Sequence, residues 1–215
     1  MVSRTTSLGE TVWQDRYFVG NHPAFDFVNT IAHRFDEDQN EDRFQGPADL
    51  QHWSRHVSLI TEETLPAEPE QALDEVAFSE TLELREKAHA VFMARLDNRV
   101  PQAADLAFIV QRLDDPQTLI QFNSPKTFSS SFSYRADTKS INAALALQIL
   151  DALFRLPVDR VRACPACGWM FYDTTRGGRR RWCNMKTCGN RAKVQEYRMR
   201  TRTKNRHKGK GPGAP

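Results

Sequence analysis

The four cysteines of the chain fall as two short pairs, Cys164-x2-Cys167 and Cys183-x4-Cys188, with fifteen residues between them. Four soft thiolates brought to one point make a tetrahedral Zn²⁺ site with bonds of about 2.3 Å. Pro165 and Gly168 suit the tight turn on which the first pair would converge, and Gly168 takes a positive φ without a Cβ clash. Four thiolates leave the ion no open position for water, so it is expected to be structural, not catalytic. The competing chemistry is two disulfides. Against it, about 160 residues precede the cysteines and offer a core that needs no such staples.

Other chemistry is missing. No Walker loop, G-x-G-x-x-G, G-x-S-x-G or H-E-x-x-H occurs. With every cysteine claimed by zinc no thiol is left as a nucleophile, and the expectation is a protein that is not an enzyme.

The second signal is charge. From Arg160 to Pro215 there are 16 Lys/Arg against 2 Asp/Glu, whereas the residues before Arg160 carry 14 against 25. An acidic part joined to a basic part points to a polyanionic partner for the basic one. Arg179, Arg180 and Arg181 lie between the cysteine pairs. Arg191, Lys193, Arg198, Arg200 and Arg202 lie on or just after a last helix, and each can contact phosphate. Asn190 and Arg191 near that helix's start can reach base edges, Asn reading adenine and Arg guanine. On a helical wheel Arg191, Arg198 and Arg202 share one face, with Lys193, Arg200 and Lys204 roughly opposite. The expectation is that one set tracks phosphates of duplex DNA while the other stays in solvent. Arg181, Arg191 and Lys193 have a second possible role, offsetting the formal −2 charge of a four-thiolate zinc. Two other partners remain open. Arg176-Gly177-Gly178-Arg179 resembles an RGG element of RNA-binding tails, though it falls in a predicted turn. An acidic protein docked on the basic face would make the zinc module a structural or docking element.

These groups need elements to position them. Trp169–Tyr172 reads as one strand, Thr174–Gly178 as a turn and Arg179–Trp182 as the return strand of a β-hairpin, with a helix starting near Cys188. That order describes a treble-clef-like zinc module. Trp169, Phe171, Tyr172 and Trp182 either form its small core or stack on bases. Upstream, Thr11–Val19 reads as a short strand and Pro23 to about Ala32 as a helix. Asp26 and Asn29 share a face of that helix at i, i+3. They either line a pocket for a small-molecule effector or satisfy buried backbone groups. An acidic loop, Asp36–Asp42, comes next. Helices follow from Pro47 to about Ile60, Glu70 to Asn98, Pro101 to Leu113 and Ser140 to Leu153, with a hairpin of Thr118–Phe122 and Phe128–Tyr134 before the last. His52 and His56 sit at i, i+4, and His89 lies inside the long helix; all three read as packed or solvated side chains. The fold class is mainly α with a small β-hairpin (α+β) over residues 1–159. The zinc module spans 160–202, and a basic, Gly/Pro-rich tail over 203–215 is expected to be disordered. No run of 18 apolar residues exists and Met1–Val12 has no apolar signal-peptide core, so no membrane span is expected. A reducing cytoplasm suits four thiolates held by metal.

The run Trp182-Cys183-x-Met185-x-x-Cys188-Gly189-Asn190-Arg191-x-Lys193 resembles the signature of the CGNR zinc-finger family. In that family the finger follows a helical domain called ABATE, and Gly20-Asn21-His22-Pro23-Ala24-Phe25-Asp26-Phe27-Val28-Asn29-Thr30 resembles its start. The resemblance implies a bacterial stress-responsive transcription regulator. Its helical domain would sense an effector or form a homodimer, and its finger would bind DNA. The long basic tail after Arg200 departs from the family pattern.

Overall fold

The computed structural model describes residues 11–36, 38–57, 75–113, 121–122, 130–131 and 138–208. Helix α1 (Pro23–Val28) starts where Pro23 presets the first turn and the His22 ring Nδ1 accepts from Ala24 N at 3.2 Å. It ends earlier than expected. Asn29 closes it, and Ile31–Ala32 forms β1, paired antiparallel with β2 (Glu41–Asp42) inside the segment read as an acidic loop. Buried Arg85 fixes this corner, donating to Thr30 Oγ1 at 3.0 Å and to both carboxylate oxygens of Asp42.

Thr11–Val19 is not a strand. Its aromatic residues go to other rings instead of alternating across a ladder: Trp13 lies 5.8 Å from Phe44 and Phe18 stacks on His56 at 4.1 Å. Only a 3₁₀ turn forms there, Asp15–Tyr17. His56 stacks on Phe18 and lies 3.4 Å from Asp15 while staying exposed, in keeping with a packed or solvated side chain.

The remaining helices are α2 (Pro47–His56), α3 (Glu75–Leu96), α4 (Ala103–Gln111) and α5 (Thr138–Arg155). Helix α2 closes at His56 with Val57 as its C-cap, short of the expected Ile60, and the expected start of α3 before residue 75 lies outside the described residues. The expected hairpin is present as β3 (Gln121–Phe122) against antiparallel β4 (Ser130–Ser131). Helix α3 packs on α4 and α5, while α1 wedges between α3 and α5. Phe25, Phe27, Leu50, Trp53, Leu84, Ile109, Leu145 and Ile149 close the core and are fully buried. Among the described residues, no helix is long and apolar enough to cross a membrane.

The C-terminal part holds β5 (Val161–Ala163), β6 (Met170–Tyr172), a π-turn (Met185–Gly189) and α6 (Asn190–Lys208). The expected hairpin between the cysteine pairs is corrected: β6 pairs antiparallel with β5, upstream of Cys164. The tail expected to be disordered over 203–215 is helical over 203–208, where α6 continues through Lys208. No Gly or Pro interrupts residues 203–208, and the breakers begin at Gly209, outside the described residues.

Candidate metal centre and nucleic-acid interface

All four cysteine Sγ atoms lie within 4.8 Å of one another, and all four residues are buried. Cys167 Sγ is 3.5 Å from Cys183 Sγ, which is 3.6 Å from Cys188 Sγ. Disulfide sulfurs sit about 2.05 Å apart, so the cysteines are free. A tetrahedron with Zn–S bonds of about 2.3 Å spaces its sulfurs by about 3.8 Å, close to what is seen. Without a cation the thiols compete. Hydrogen bonding, from Cys167 first, holds Cys164 below the usual thiol range, while the bond to Cys164 foremost pushes Cys183 up. One Zn²⁺ lets all four ionise together. The donor set therefore fits one structural zinc.

The first pair sits in the turn of the β5–β6 hairpin. Gly168 N donates to Cys164 O and Cys164 N to Trp169 O, both at 2.8 Å. Gly168 has φ +78°, and a Cβ there would lie 2.6 Å from the Phe35 ring. The second pair is shaped by Asn184, whose side chain accepts from Lys186 N at 2.8 Å and starts the π-turn that carries Cys188 back to Cys183.

Strand β6 has no free edge, which explains why Arg179–Trp182 cannot join it. Phe171 faces β5. The alternate residues Met170 and Tyr172 turn their backbone groups toward α1. There Met170 N donates to Asn29 Oδ1 and Asn29 Nδ2 donates to Met170 O, both at 2.8 Å. Tyr172 N donates to Gly20 O, and Asn21 Nδ2 to Tyr172 O, both at 2.8 Å. Three residues of one short motif thus replace a neighbouring strand. Asn29 therefore spends its side chain on backbone instead of a ligand. Asp26 does the same, its Oδ1 accepting from Gly20 N at 2.8 Å. Burial outweighs the bonds from Gly20 and Val19 and raises the Asp26 carboxyl to about 7.

The loop after β6 is folded by its own side chains. Asp173 is fully buried, accepting from Thr175 N, Thr175 Oγ1 and Arg180 N at 2.9, 2.6 and 2.7 Å. Gly178 (φ +58°) turns the chain, so Arg176–Arg179 is a turn, as its composition suggests. Arg160 donates to Thr175 O at 2.7 Å and Arg162 to Gly178 O at 2.8 Å. Arg180 was a candidate phosphate contact, but it is consumed internally. It donates to the carbonyls of Trp182 and Cys183 and covers the Phe171 face at 4.5 Å.

With this geometry in place, two family models match. The CGNR zinc finger matches residues 160–201. The model described as "putative stress-induced transcription regulator", ABATE, matches residues 21–156. The chain belongs to the ABATE family. A comparison with curated proteins gave no match.

The ABATE part holds the finger by the α1 motif and by Trp169, whose Nε1 donates to Ile31 O at 2.9 Å. Met170 is buried in the same core as Phe25 and Ile149. The CGNR finger's last helix behaves in the opposite way. From Asn190 to Arg202 every residue except Ala192 is exposed. Arg191, Lys193, Arg198 and Arg202 make no ion pair or hydrogen bond among the described residues; Arg200 pairs with Glu196, and Arg181 lies over the Trp182 ring at 4.8 Å. Arg179 is exposed at the turn. None of these cations hydrogen-bonds a cysteine, so the zinc-offsetting role has no support among the described residues. Of the four module aromatics, Phe171 is fully buried beside the cysteines and Trp169 and Trp182 pack on that cluster, which favours core over base stacking. The sequence reading missed Arg160 and Arg162 as structural ties; their separation from the acidic part of the chain gives no sign of the carbonyls they reach.

Proposed function

We propose that this chain is a transcription regulator whose CGNR finger binds duplex DNA through α6, with zinc as a structural ion and no enzymatic activity. The observation that carries this is the state of α6. Helix α6 runs for 19 residues, and from Asn190 to Arg202 all but Ala192 are exposed, with like charges at i, i+4, such as Arg198 and Arg202. Such pairs cost a few tenths of a kcal/mol each, and a helix whose described residues bury no apolar face gains little from packing. A polyanion removes both deficits. The family description supports a regulatory role, and in this proposal the helical domain senses an effector or forms a homodimer.

The alternative of a structural zinc module has its own support, because β6 is docked on α1. That contact uses the knuckle and leaves α6 out, so it does not compete with nucleic acid.

The test is fluorescence anisotropy of zinc-loaded full-length protein with a labelled random duplex across a salt series. Five or six phosphate contacts predict an affinity loss of about 10³-fold between 50 and 200 mM salt. No binding at the low-salt end would overturn the proposal. Duplex RNA run beside it tests the RNA alternative.

A further inference from the structure

Helix α6 carries a pattern that its net charge conceals. At about 100° per residue, Asn190, Val194, Tyr197 and Thr201 fall on one line along the helix. This line is free of charge and exposed, with Val194 at 49% and Tyr197 at 71%. Roughly 60–100° to one side lies the row Arg191, Arg198, Arg202, and a similar angle to the other side lie Lys193 and Arg200. The two rows lie on opposite flanks and bracket the stripe between them.

We infer that the stripe is the base-reading face of the finger, inserted into the major groove of B-form DNA, with one basic row on each phosphate wall. This rests on the duplex-binding proposal above. The dimensions agree: a helix about 10–12 Å across enters a groove about 12 Å wide, and 19 residues extend about 28 Å. The chemistry agrees as well. Asn190 donates once, to Lys186 O at 3.3 Å, and keeps its amide oxygen and second N–H for an adenine edge. Thr201 Oγ1 donates to Tyr197 O at 3.0 Å and retains its acceptor lone pairs. Val194 and the Tyr197 ring offer apolar surface to thymine methyls. Tyr197 is a large aromatic left in water on a strongly charged helix, and among the described residues no core lies beneath it. Charge sets the occupant: cations on both flanks of an uncharged line match two anionic walls around a base floor. The deep, narrow major groove of A-form RNA does not admit a helix.

Two measurements on the full-length zinc protein test this. The first selects binders from a randomised duplex pool. Wild type is expected to enrich a motif. Asn190→Ala and Tyr197→Ala are expected to narrow the motif-to-random affinity ratio by about 5- to 150-fold while leaving the salt slope unchanged. Arg198→Ala is expected to weaken motif and random duplexes alike. These side chains are exposed, and unchanged thermal midpoint and zinc content confirm that the variants fold. The second measurement replaces purines of the selected duplex with 7-deaza analogues, which removes the major-groove N7 acceptors; affinity is expected to fall toward the random-duplex value. If random duplex is bound but the stripe variants keep the motif preference, or the 7-deaza duplex or an RNA duplex binds as well, the inference is overturned and duplex binding stands. If no duplex is bound at all, both are overturned.

Discussion

Replacing Asn29 with alanine tests whether the family motif is a clamp for the finger or a ligand pocket. Asn29 is 3% exposed and Met170 fully buried, so Asn29→Ala leaves Met170 N–H and C=O without partners in a dry site. Each buried backbone group left unpaired costs about 1–3 kcal/mol. Two of them, relieved in part by water entering the vacated volume, give about 2–5 kcal/mol. That is a large share of the 5–15 kcal/mol typical of a whole domain. At 2–4 °C per kcal/mol for a chain of this size, the thermal midpoint should fall by about 4–20 °C. Because Cys164 and Cys167 sit in the turn of the hairpin that β6 completes, zinc release to a chromophoric chelator should accelerate in parallel. Asn21→Gly is the control: it keeps the positive φ of Asn21 (+56°) but loses a solvent-exposed bond to Tyr172 O, and should cost about 1 kcal/mol or less. A loss under about 1 kcal/mol for Asn29→Ala, or a lowered midpoint with unchanged zinc release, would refute the clamp.

Asp26 makes a second prediction, and its sign follows from linkage. With its folded value raised from 3.8 to about 7, the native state holds a proton that the unfolded chain has lost between those pH values. Its contribution to stability is therefore complete below about pH 4 and is lost as pH rises to 7. Asp26→Asn abolishes that loss, so its stability gain over wild type should grow by about 2–3 kcal/mol between pH 5 and pH 8, read from urea midpoints; a constant difference would sink the argument. Arg180→Ala should lower the thermal midpoint by an amount equivalent to about 1–3 kcal/mol and leave the DNA salt slope intact, whereas Arg198→Ala should do the reverse, lowering the slope by about 1. Metal analysis should find one zinc per chain. Cys183→Ser should lower that figure and destabilise the helical domain as well, since Met170 shares its core.

The cysteine spacing gave away the metal centre because ligation imposes its own geometry on sequence. The long helices α3 and α5 were legible from their apolar periodicity. The partner of β6 was not. Val161–Ala163 is three residues with Arg162 at the centre, a pattern with no strand signal of its own. The other edge is closed by Asn29, 141 residues away from Met170 in sequence. An asparagine that imitates a strand looks the same in sequence as one that binds a ligand; only the pair of 2.8 Å bonds to a single peptide tells them apart. Arg180 escaped for a similar reason. Sequence reports a cation, while Phe171 and two carbonyls decide that it faces inward. The tail was misread because the Gly and Pro residues after residue 208 dominated the composition of a segment whose first half has no breaker.

The two roles proposed for the zinc module are carried by opposite ends of one small unit. Its hairpin turns inward, completing the core with Met170 and resting on Gly20, Asn21 and Asn29. Its helix turns outward: from Asn190 to Arg202 all residues but Ala192 are exposed, and its main contact among the described elements is the π-turn that launches it. Zinc joins the two ends, because Cys164 and Cys167 belong to the hairpin and Cys183 and Cys188 to the segment leading into the helix. Metal affinity and the stability of the helical domain must then be linked reciprocally. Zinc that binds the native state alone stabilises the whole chain by mass action. A substitution that loosens β6 from α1 weakens zinc binding by the same free energy with which zinc opposes the loosening. For Asn29→Ala this demands equality: the loss in zinc affinity, converted to free energy, must match the difference between its destabilisation with zinc bound and without. An unchanged zinc affinity, with equal destabilisation in the presence and absence of zinc, would mean that hairpin and helix fold independently, and that α6 is carried by the helical domain without being coupled to it.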